Sequence, residues 1–350
     1  MITQITLRQF RNYKLAEFNF DKKIVVITGP NASGKTNLLE AIYTSSLTKS
    51  FRTNDSNLIS YGNDFFTISR YHDKENIDFR FVKSDKSRTK QLKINNVKKP
   101  LYSLPGTYPV VLFEPNHLDI LVGLPAKRRE YIDSILSQTD KDYLLNLKKY
   151  AQIISQKNSL LRRAKKEMVG NLNDQLFVFN IQLIEPAMYI VKCRKAFIDA
   201  IKPNIINNYK TISKQQVDLS LKFLTLVNDK DDFIKELDNS IERDKATGFS
   251  TFGPHRDDFS VELKNHSLNE IASRGELRSL TLAFKLTEIN YIQNILNKKP
   301  TLLLDDVLSE LDEDRQRHLL SNIHAEQTFI TTTHLPPNTK LDFQHIKLPL

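Results

Sequence analysis

The stretch Gly29-Pro30-Asn31-Ala32-Ser33-Gly34-Lys35-Thr36 constrains this chain more than any other. It satisfies G-x-x-x-x-G-K-[ST] in full, and its setting matters as much as its letters. Before it runs Lys23-Ile24-Val25-Val26-Ile27-Thr28, a β-branched and nearly all-apolar segment of the kind that forms a buried parallel strand. After it, Lys35 to about Leu47 reads as a helix. The glycines let the backbone turn so that its N–H groups face phosphate oxygens, at a helix N-terminus whose dipole favours an anion. In such a loop Lys35 reaches the β- and γ-phosphates of a nucleotide and Thr36 binds Mg²⁺. A chance match in an ordinary turn lacks the flanking strand and helix.

A magnesium carboxylate is expected elsewhere in the chain. Thr301-Leu302-Leu303-Leu304-Asp305-Asp306 supplies one, as an apolar strand ending in two acids. Alone, two acids after a strand would often be a helix cap. Beside a phosphate loop, Asp305 suits the metal and Asp306 is placed to orient the attacking water. The two motifs are far apart, Asp305 lying 270 positions after Lys35. A compact phosphate-loop domain needs fewer, so the chain is expected to carry a large insert. Both ends of the chain must then meet in one nucleotide-binding unit.

The intervening pattern agrees with this. Ile2 to Phe10 alternates as a strand. Phe65–Tyr71, Ile77–Val82 and Lys90–Ile94 read as antiparallel strands, and Val110–Phe113 as another buried one. From Pro125 to about Tyr209 the chain turns Lys-rich and helical. Leu144, Leu147, Ile154 and Leu161 approximate one apolar stripe there, too short for a sustained coiled coil. Val217-Leu219-Leu221-Phe223 alternates as a strand, and Asp231 to Arg243 reads as one short acidic helix. Strand and helix signals resume at Phe259–Leu263, at Glu276–Asn297 and at Thr328–Thr332.

Charge points to a polyanionic partner. The chain has 350 residues with 51 Lys+Arg against 41 Asp+Glu, a net +10. Arg70–Lys99 holds 10 basic and 4 acidic residues, and Lys127–Lys222 holds 18 and 9. Residues 248–350 are acidic, with 11 basic and 14 acidic. Two basic stretches beside an acidic end resemble a polyanion footprint more than a uniformly solvated surface. The lone Cys193 excludes an internal disulfide framework and a Cys-based zinc site, so a reducing cytoplasm is expected. The start lacks the pattern of a signal peptide, and no run approaches 18 apolar residues, so no membrane span is expected. His255 with Asp257 or Asp258 fits no common zinc spacing.

Taken with these motifs, the sequence resembles the ABC-type ATPase heads of the SMC-like DNA-repair proteins. Ser273-Arg274-Gly275-Glu276 resembles the signature region opening a helix about thirty residues before the acid pair. Ser309-Glu310-Leu311-Asp312 resembles the D-loop, and Thr331-Thr332-Thr333-His334 the switch-histidine region. Within that group the chain is most similar to the RecF family. That likeness rests on Phe10-Arg11-Asn12-Tyr13, Ser50-Phe51-Arg52-Thr53, Lys127-Arg128-Arg129 followed by Ser137-Gln138, Gly253-Pro254-His255-Arg256-Asp257-Asp258, and Leu304 to Asp312. It departs from that family at Glu276, where Gln is usual. It departs again at Pro115-Asn116-His117-Leu118, where a Q-loop is implied and Gln is missing.

The resemblance implies an α/β fold: an ABC-type, SMC-like P-loop ATPase head with a mixed sheet and an inserted, mainly helical arm. The implied division is 1–122 with 248–350 as the head and 123–247 as the arm. It implies ATP and Mg²⁺ as cofactors. ATP is held by Gly29, Pro30, Asn31, Ala32, Ser33, Gly34, Lys35 and Thr36, with Arg11, Ser273, Gly275 and Asp312. Arg11 is favoured over Lys14 by the family match. The metal falls to Thr36 and Asp305, and catalysis to Asp306, Lys35 and His334. Two heads close face to face on DNA, with Ser273 of one completing the site of the other. Turnover is slow and DNA-stimulated, and the implied partners are RecR and RecO, with RecA loading downstream. A transporter-type ATPase is disfavoured by the basic insert and the two-Asp motif. A non-hydrolysing scaffold is disfavoured by the intact Lys35 and Asp306. The head of an overcoming-lysogenization-type nuclease would need a further acidic domain.

Overall fold

A computed structural model describes residues 1–85, 87–214, 218–227, 229–312, 315–316, 319, 325–333 and 342–349. They pack into two compact units, residues 1–117 with 282–350, and residues 118–281.

The first unit holds two sheets. β1 (Ile2–Phe10), β2 (Tyr13–Asn19), β4 (Phe65–His72), β5 (Glu75–Lys83), β6 (Arg88–Ile94) and β7 (Val97–Lys99) form an antiparallel sheet in the order β2-β1-β4-β5-β6-β7. β3 (Ile24–Thr28), β8 (Val110–Phe113), β12 (Thr301–Asp305), β13 (Gln327–Thr332) and β14 (Gln344–Lys347) form a parallel sheet in the order β14-β3-β13-β12-β8. The parallel strands β3, β8, β12 and β13 are short and buried almost throughout; β3, β8 and β12 are mostly apolar, whereas β13 also buries Gln327, Thr328, Thr331 and Thr332. The antiparallel strands alternate, burying Ile5, Leu7, Phe66, Ile68, Phe79 and Phe81. Helix α1 (Lys35–Leu47) packs with both sheets in one apolar core, together with Val25, Ile27, Leu303 and Phe329. It is buried nearly all round, which explains why its sequence shows no polar face.

The second unit carries the insert. It comprises α2 (Asp119–Val122), α3 (Pro125–Thr139), α4 (Lys141–Ala164), α5 (Leu172–Ser213), α6 (Lys230–Asn239), α7 (Ile241–Thr247) and α8 (Leu268–Ile271). A small sheet, β9 (Leu219–Leu224), β10 (Asp258–Leu263) and β11 (His266–Ser267), runs in the order β11-β10-β9. Helix α9 (Arg274–Leu296) contains the boundary with the first unit. Packing therefore places residues 248–281 with the insert, whereas the sequence reading joins them to the head. The cause is strand pairing: β10 zips antiparallel onto β9 from Asp258↔Leu224 to Leu263↔Leu219. The acidic helix expected over Asp231–Arg243 is broken at Ser240, whose hydroxyl donates to the Leu237 carbonyl. Helix α5 contains a stretch apolar and long enough to cross a membrane, with mean hydropathy 1.3. Glu185 and Lys192 interrupt its apolar sequence, and Leu183, Ala187, Ile190, Phe197, Ile201 and Ile205 are buried in the protein.

Candidate nucleotide-binding site

Strand order builds the site. β13 lies between β3 and β12, so the phosphate loop after β3 and the acids ending β12 emerge from the same edge, at the carboxyl ends of parallel strands. The register sets Thr332 opposite Thr28 and Thr331 opposite Asp305. Thr331 spans the gap: its hydroxyl donates to Asp305 Oδ1 at 2.7 Å. The same carboxylate oxygen accepts from Thr36 Oγ1 at 2.9 Å. The Asp306 N–H donates to Thr331 Oγ1 at 3.0 Å, and Asp306 itself is left-handed, with φ of 53°.

The loop needs its glycines. Gly34 caps α1 at φ 104°, and a Cβ there would lie 2.7 Å from Tyr13 Oη and 2.9 Å from Asn12 Nδ2. The turn between β1 and β2 therefore braces the loop. Tyr13 Oη donates to the Gly34 carbonyl at 3.1 Å, and Asn37 Nδ2 donates to Asn12 Oδ1 at 2.8 Å. At Gly29 a Cβ would meet Ser33 Oγ at 2.7 Å and the Leu348 carbonyl at 3.0 Å. Lys35 is 8% exposed, and its ammonium donates to the Gly29 carbonyl at 2.7 Å and the Pro30 carbonyl at 3.0 Å. Ser33 Oγ is buried without a hydrogen-bond partner among the described residues. Lys35 has no carboxylate partner among the described residues.

These groups open on a cavity of about 330 Å³. Asn31, Ala32, Gly34, Lys35 and Thr36 line it from the loop and helix, Asp305 from the end of β12, and Asp306 from the residue after it. Asn37 and Arg52 complete the wall. Cation, hydroxyl and loop backbone are arranged for a phosphate chain. Thr36 Oγ1 and Asp305 Oδ1, in mutual contact, are hard oxygen donors suited to Mg²⁺. The residues present therefore fit a nucleoside triphosphate and its metal.

Other expected site residues lie elsewhere. Arg11 is not in the cavity wall. Its Nε and Nη2 donate to Glu40 at 2.8 and 2.9 Å, and its Nη1 to the Asn57 carbonyl at 3.1 Å. Glu40 is fully buried on α1, so Arg11 is its counter-ion, and the arginine at the cavity is Arg52. Glu40 also accepts from Ser50 Oγ at 2.5 Å, and Ser50 Oγ accepts from the N–H groups of Arg52 and Thr53. The chain Arg11–Glu40–Ser50 thus fixes the loop that carries Arg52. The sequence reading gave no role to Asn12, Tyr13, Glu40 or Arg52; the only signal was that three of them lie in or beside family segments.

Ser273 precedes α9 and Gly275 lies in its first turn, both in the second unit. The Ser273 N–H and hydroxyl both donate to Glu276 Oε2, at 2.8 and 2.7 Å, and the Glu276 N–H donates back to Ser273 Oγ at 3.2 Å. This is a capping box. Those hydrogen bonds hold the Glu276 carboxyl below its ordinary pKa. Asp312 is exposed and pairs with Arg315. His334 lies outside the described residues.

A parallel sheet with a phosphate loop and an acid pair at its carboxyl edge, joined to an inserted helical unit, defines an ABC-type P-loop ATPase head of the SMC-like class. The family model described as RecF/RecN/SMC N terminal domain matches residues 1–342. A "DNA replication and repair protein RecF" from Clostridium novyi is 35% identical, covering 99% of this chain and 97% of the relative. Another, from Clostridium botulinum (strain Eklund 17B / Type B), is 38% identical, covering 95% and 92%. A solved structure described as the recombination mediator protein RecF-ATP in the RecFOR pathway matches with TM-score 0.86 at 29% identity, covering 97% of this chain and 93% of that one. The chain belongs to the RecF family of DNA replication and repair proteins.

Proposed function

We propose that this chain is an ATP-gated, DNA-binding recombination mediator with weak, DNA-stimulated ATP hydrolysis. The observation that carries this reading is the convergence of Lys35, Thr36 and Asp305 on one cavity, with Asp306 at its wall. ATP is held by the Gly29–Thr36 loop, with Lys35 turning from the Gly29 and Pro30 carbonyls onto phosphate. Thr36 and Asp305 hold Mg²⁺, which supplies charge neutralisation at the phosphates. Asp306, the neighbouring acid, orients the attacking water. The solved RecF structure described with ATP supports this cofactor.

Closure involves a second copy. Asp312, which belongs to the unit that holds the cavity, does not line it, which suits a group that completes the nucleotide site of a partner head in a two-fold dimer; for Ser273 and Gly275 the same role is supported by the family resemblance of their segment. DNA is held through its phosphates. The exposed face of the antiparallel sheet supports this: Arg8 is opposite Thr67, Thr67 opposite Arg80, and Lys93 opposite Lys98, all in register and all four cations exposed. With the basic helices of Lys127–Lys222, these would track a backbone without reading bases. Family membership supports RecR and RecO as partners, RecA loading at single-strand gaps, and a cytoplasmic location.

The test is DNA affinity against salt, with and without ATP. We expect a steep negative salt dependence, tightened by ATP. Flat salt dependence, or identical curves with and without ATP, would overturn the clamp. The Asp306→Asn variant is expected to retain ATP and to persist as a dimer on DNA.

A further inference from the structure

The second unit has a cleft that the nucleotide site does not use. Its volume is about 430 Å³, larger than the phosphate-loop cavity. Leu147, Ala151 and Ile154 of α4 and Ile190 of α5 give it an aliphatic floor. Arg129 and Arg162 line the same cleft. Arg162 is exposed and makes no hydrogen bond or ion pair among the described residues, and Arg129 commits only one N–H, to the Asp257 carbonyl at 2.8 Å. The one acid in the wall, Asp133, is already neutralised by Arg194, which donates to its two oxygens at 2.9 and 3.1 Å. The cleft therefore combines an aliphatic lining with uncommitted cationic groups.

Its far wall is built, not incidental. Gly253 has φ of 131°, and a Cβ there would lie 2.4 Å from Tyr150 Oη, so only glycine lets this loop close over the tyrosine. The His255 Nε2 faces the Ser250 carbonyl at 3.0 Å and must carry the proton. Nδ1 then accepts from Tyr150 Oη at 2.6 Å. His255 is thereby held neutral, and the two arginines keep the charge of the cleft positive.

We propose that this cleft docks an acidic peptide segment of a partner protein through an aliphatic anchor residue. The floor takes a Leu or Ile side chain, and the free guanidinium edges take flanking carboxylates, which arginine grips with paired N–H donors. Nucleic acid is the poorer fit. Of the two aromatic rings in the wall, Tyr150 is only 4% exposed and His255 is held at both ring nitrogens, by Tyr150 and by the Ser250 carbonyl, so neither turns outward as a platform for stacking a base.

The test uses the full chain and a fluorescein-labelled Glu-Asp-Glu-Leu-Leu peptide, read by anisotropy. We expect saturable binding. Ala151→Phe, which fills the cleft from an exposed position, should abolish it. Arg162→Glu should weaken it by about tenfold or more, the cost of a lost charge-assisted hydrogen bond. A thermal melt and ATP binding unchanged in Ala151→Phe show that the fold and the nucleotide site survive. No saturable binding by the parent chain, or equal binding by parent and Ala151→Phe, overturns the proposal. Displacement of the peptide by a single-stranded oligonucleotide, with weaker oligonucleotide binding by Ala151→Phe, makes the cleft a nucleic-acid groove and overturns it too.

Discussion

Lys35 and Lys157 are both buried lysines, one in each unit, and they are satisfied in opposite ways. Lys35 touches two main-chain carbonyls and has no carboxylate partner among the described residues. Lys157 is 0% exposed and pairs at 2.9 Å with Asp244, also 0% exposed, while donating to Asn180 Oδ1 at 2.9 Å. Asp244 in turn accepts from the Thr251 N–H and hydroxyl at 2.8 and 2.6 Å, tying α7 to the segment before Gly253. A buried cation carries a desolvation cost that something must offset. At Lys157 the protein itself offsets it, so the charge is structural. At Lys35 the offset is left to an incoming anion, so the charge belongs to binding. The same side chain therefore marks a site in one unit and a rivet in the other.

The contrast can be broken by substitution. Lys35→Met should remove ATP-dependent dimerisation altogether in light scattering, while leaving stability within about 1 kcal/mol of the parent, since no counter-ion is orphaned. An unchanged dimer fraction would end the nucleotide-gating reading. Lys157→Met should do the reverse. It strands Asp244 in the interior and should cost about 3–5 kcal/mol in urea denaturation, with the phosphate-loop cavity itself untouched. A loss below about 1 kcal/mol would show that Lys157 and Asp244 are not the rivet described.

Two arginines sharpen the same distinction within the first unit. Arg11→Met leaves Glu40 buried without its partner and should cost about 3 kcal/mol. Arg52→Ala, at an exposed position, should change stability by less than about 0.5 kcal/mol but weaken binding of a fluorescent ATP analogue. The opposite pattern would restore Arg11 to the nucleotide.

The smallest effect is expected from pH in the second unit. Burial pushes His255 down to about 4 and raises Asp257 to about 6. Between pH 6.5 and 4 the unfolded chain protonates His255 before the folded one does, so its contribution is full above 6.5 and lost as pH falls. Asp257 acts in the other direction, because the folded chain takes up its proton first. The stability difference between the parent and His255→Asn should therefore shrink as pH falls from 6.5 to 4. A constant difference across that range would mean that His255 is not held neutral by the fold.

The phosphate loop was legible because its chemistry is contiguous. Eight residues carry the turn, the cation and the hydroxyl, and the apolar runs of β3, β8 and β12 announce a buried parallel sheet. Asp305 was legible for the same reason, as an acid ending such a run. The pairing of Arg11 was not legible, because its partner, Glu40, lies 29 residues away on a helix and no local pattern reports that meeting. Thr331 as the link between the acids and their neighbouring strand depends on register, and Tyr13 against Gly34 depends on a hairpin folding back onto the loop. The unit boundary near residue 281 follows from β9 pairing with β10, two short segments separated by two helices.

By itself, then, the sequence determined the local chemistry: where a phosphate can be held, which side chains can bind a metal, and where the basic charge is concentrated. Backbone turns and helix starts are set by a few neighbouring residues, so they survive being read along the chain. Only the tertiary structure decided which charges are partners and which are left for a ligand. That decision depends on who shares a buried space, as Lys157 does with Asp244 and Lys35 does not with any described acid. Desolvation acts on neighbours in space, and neighbours in space are set by packing.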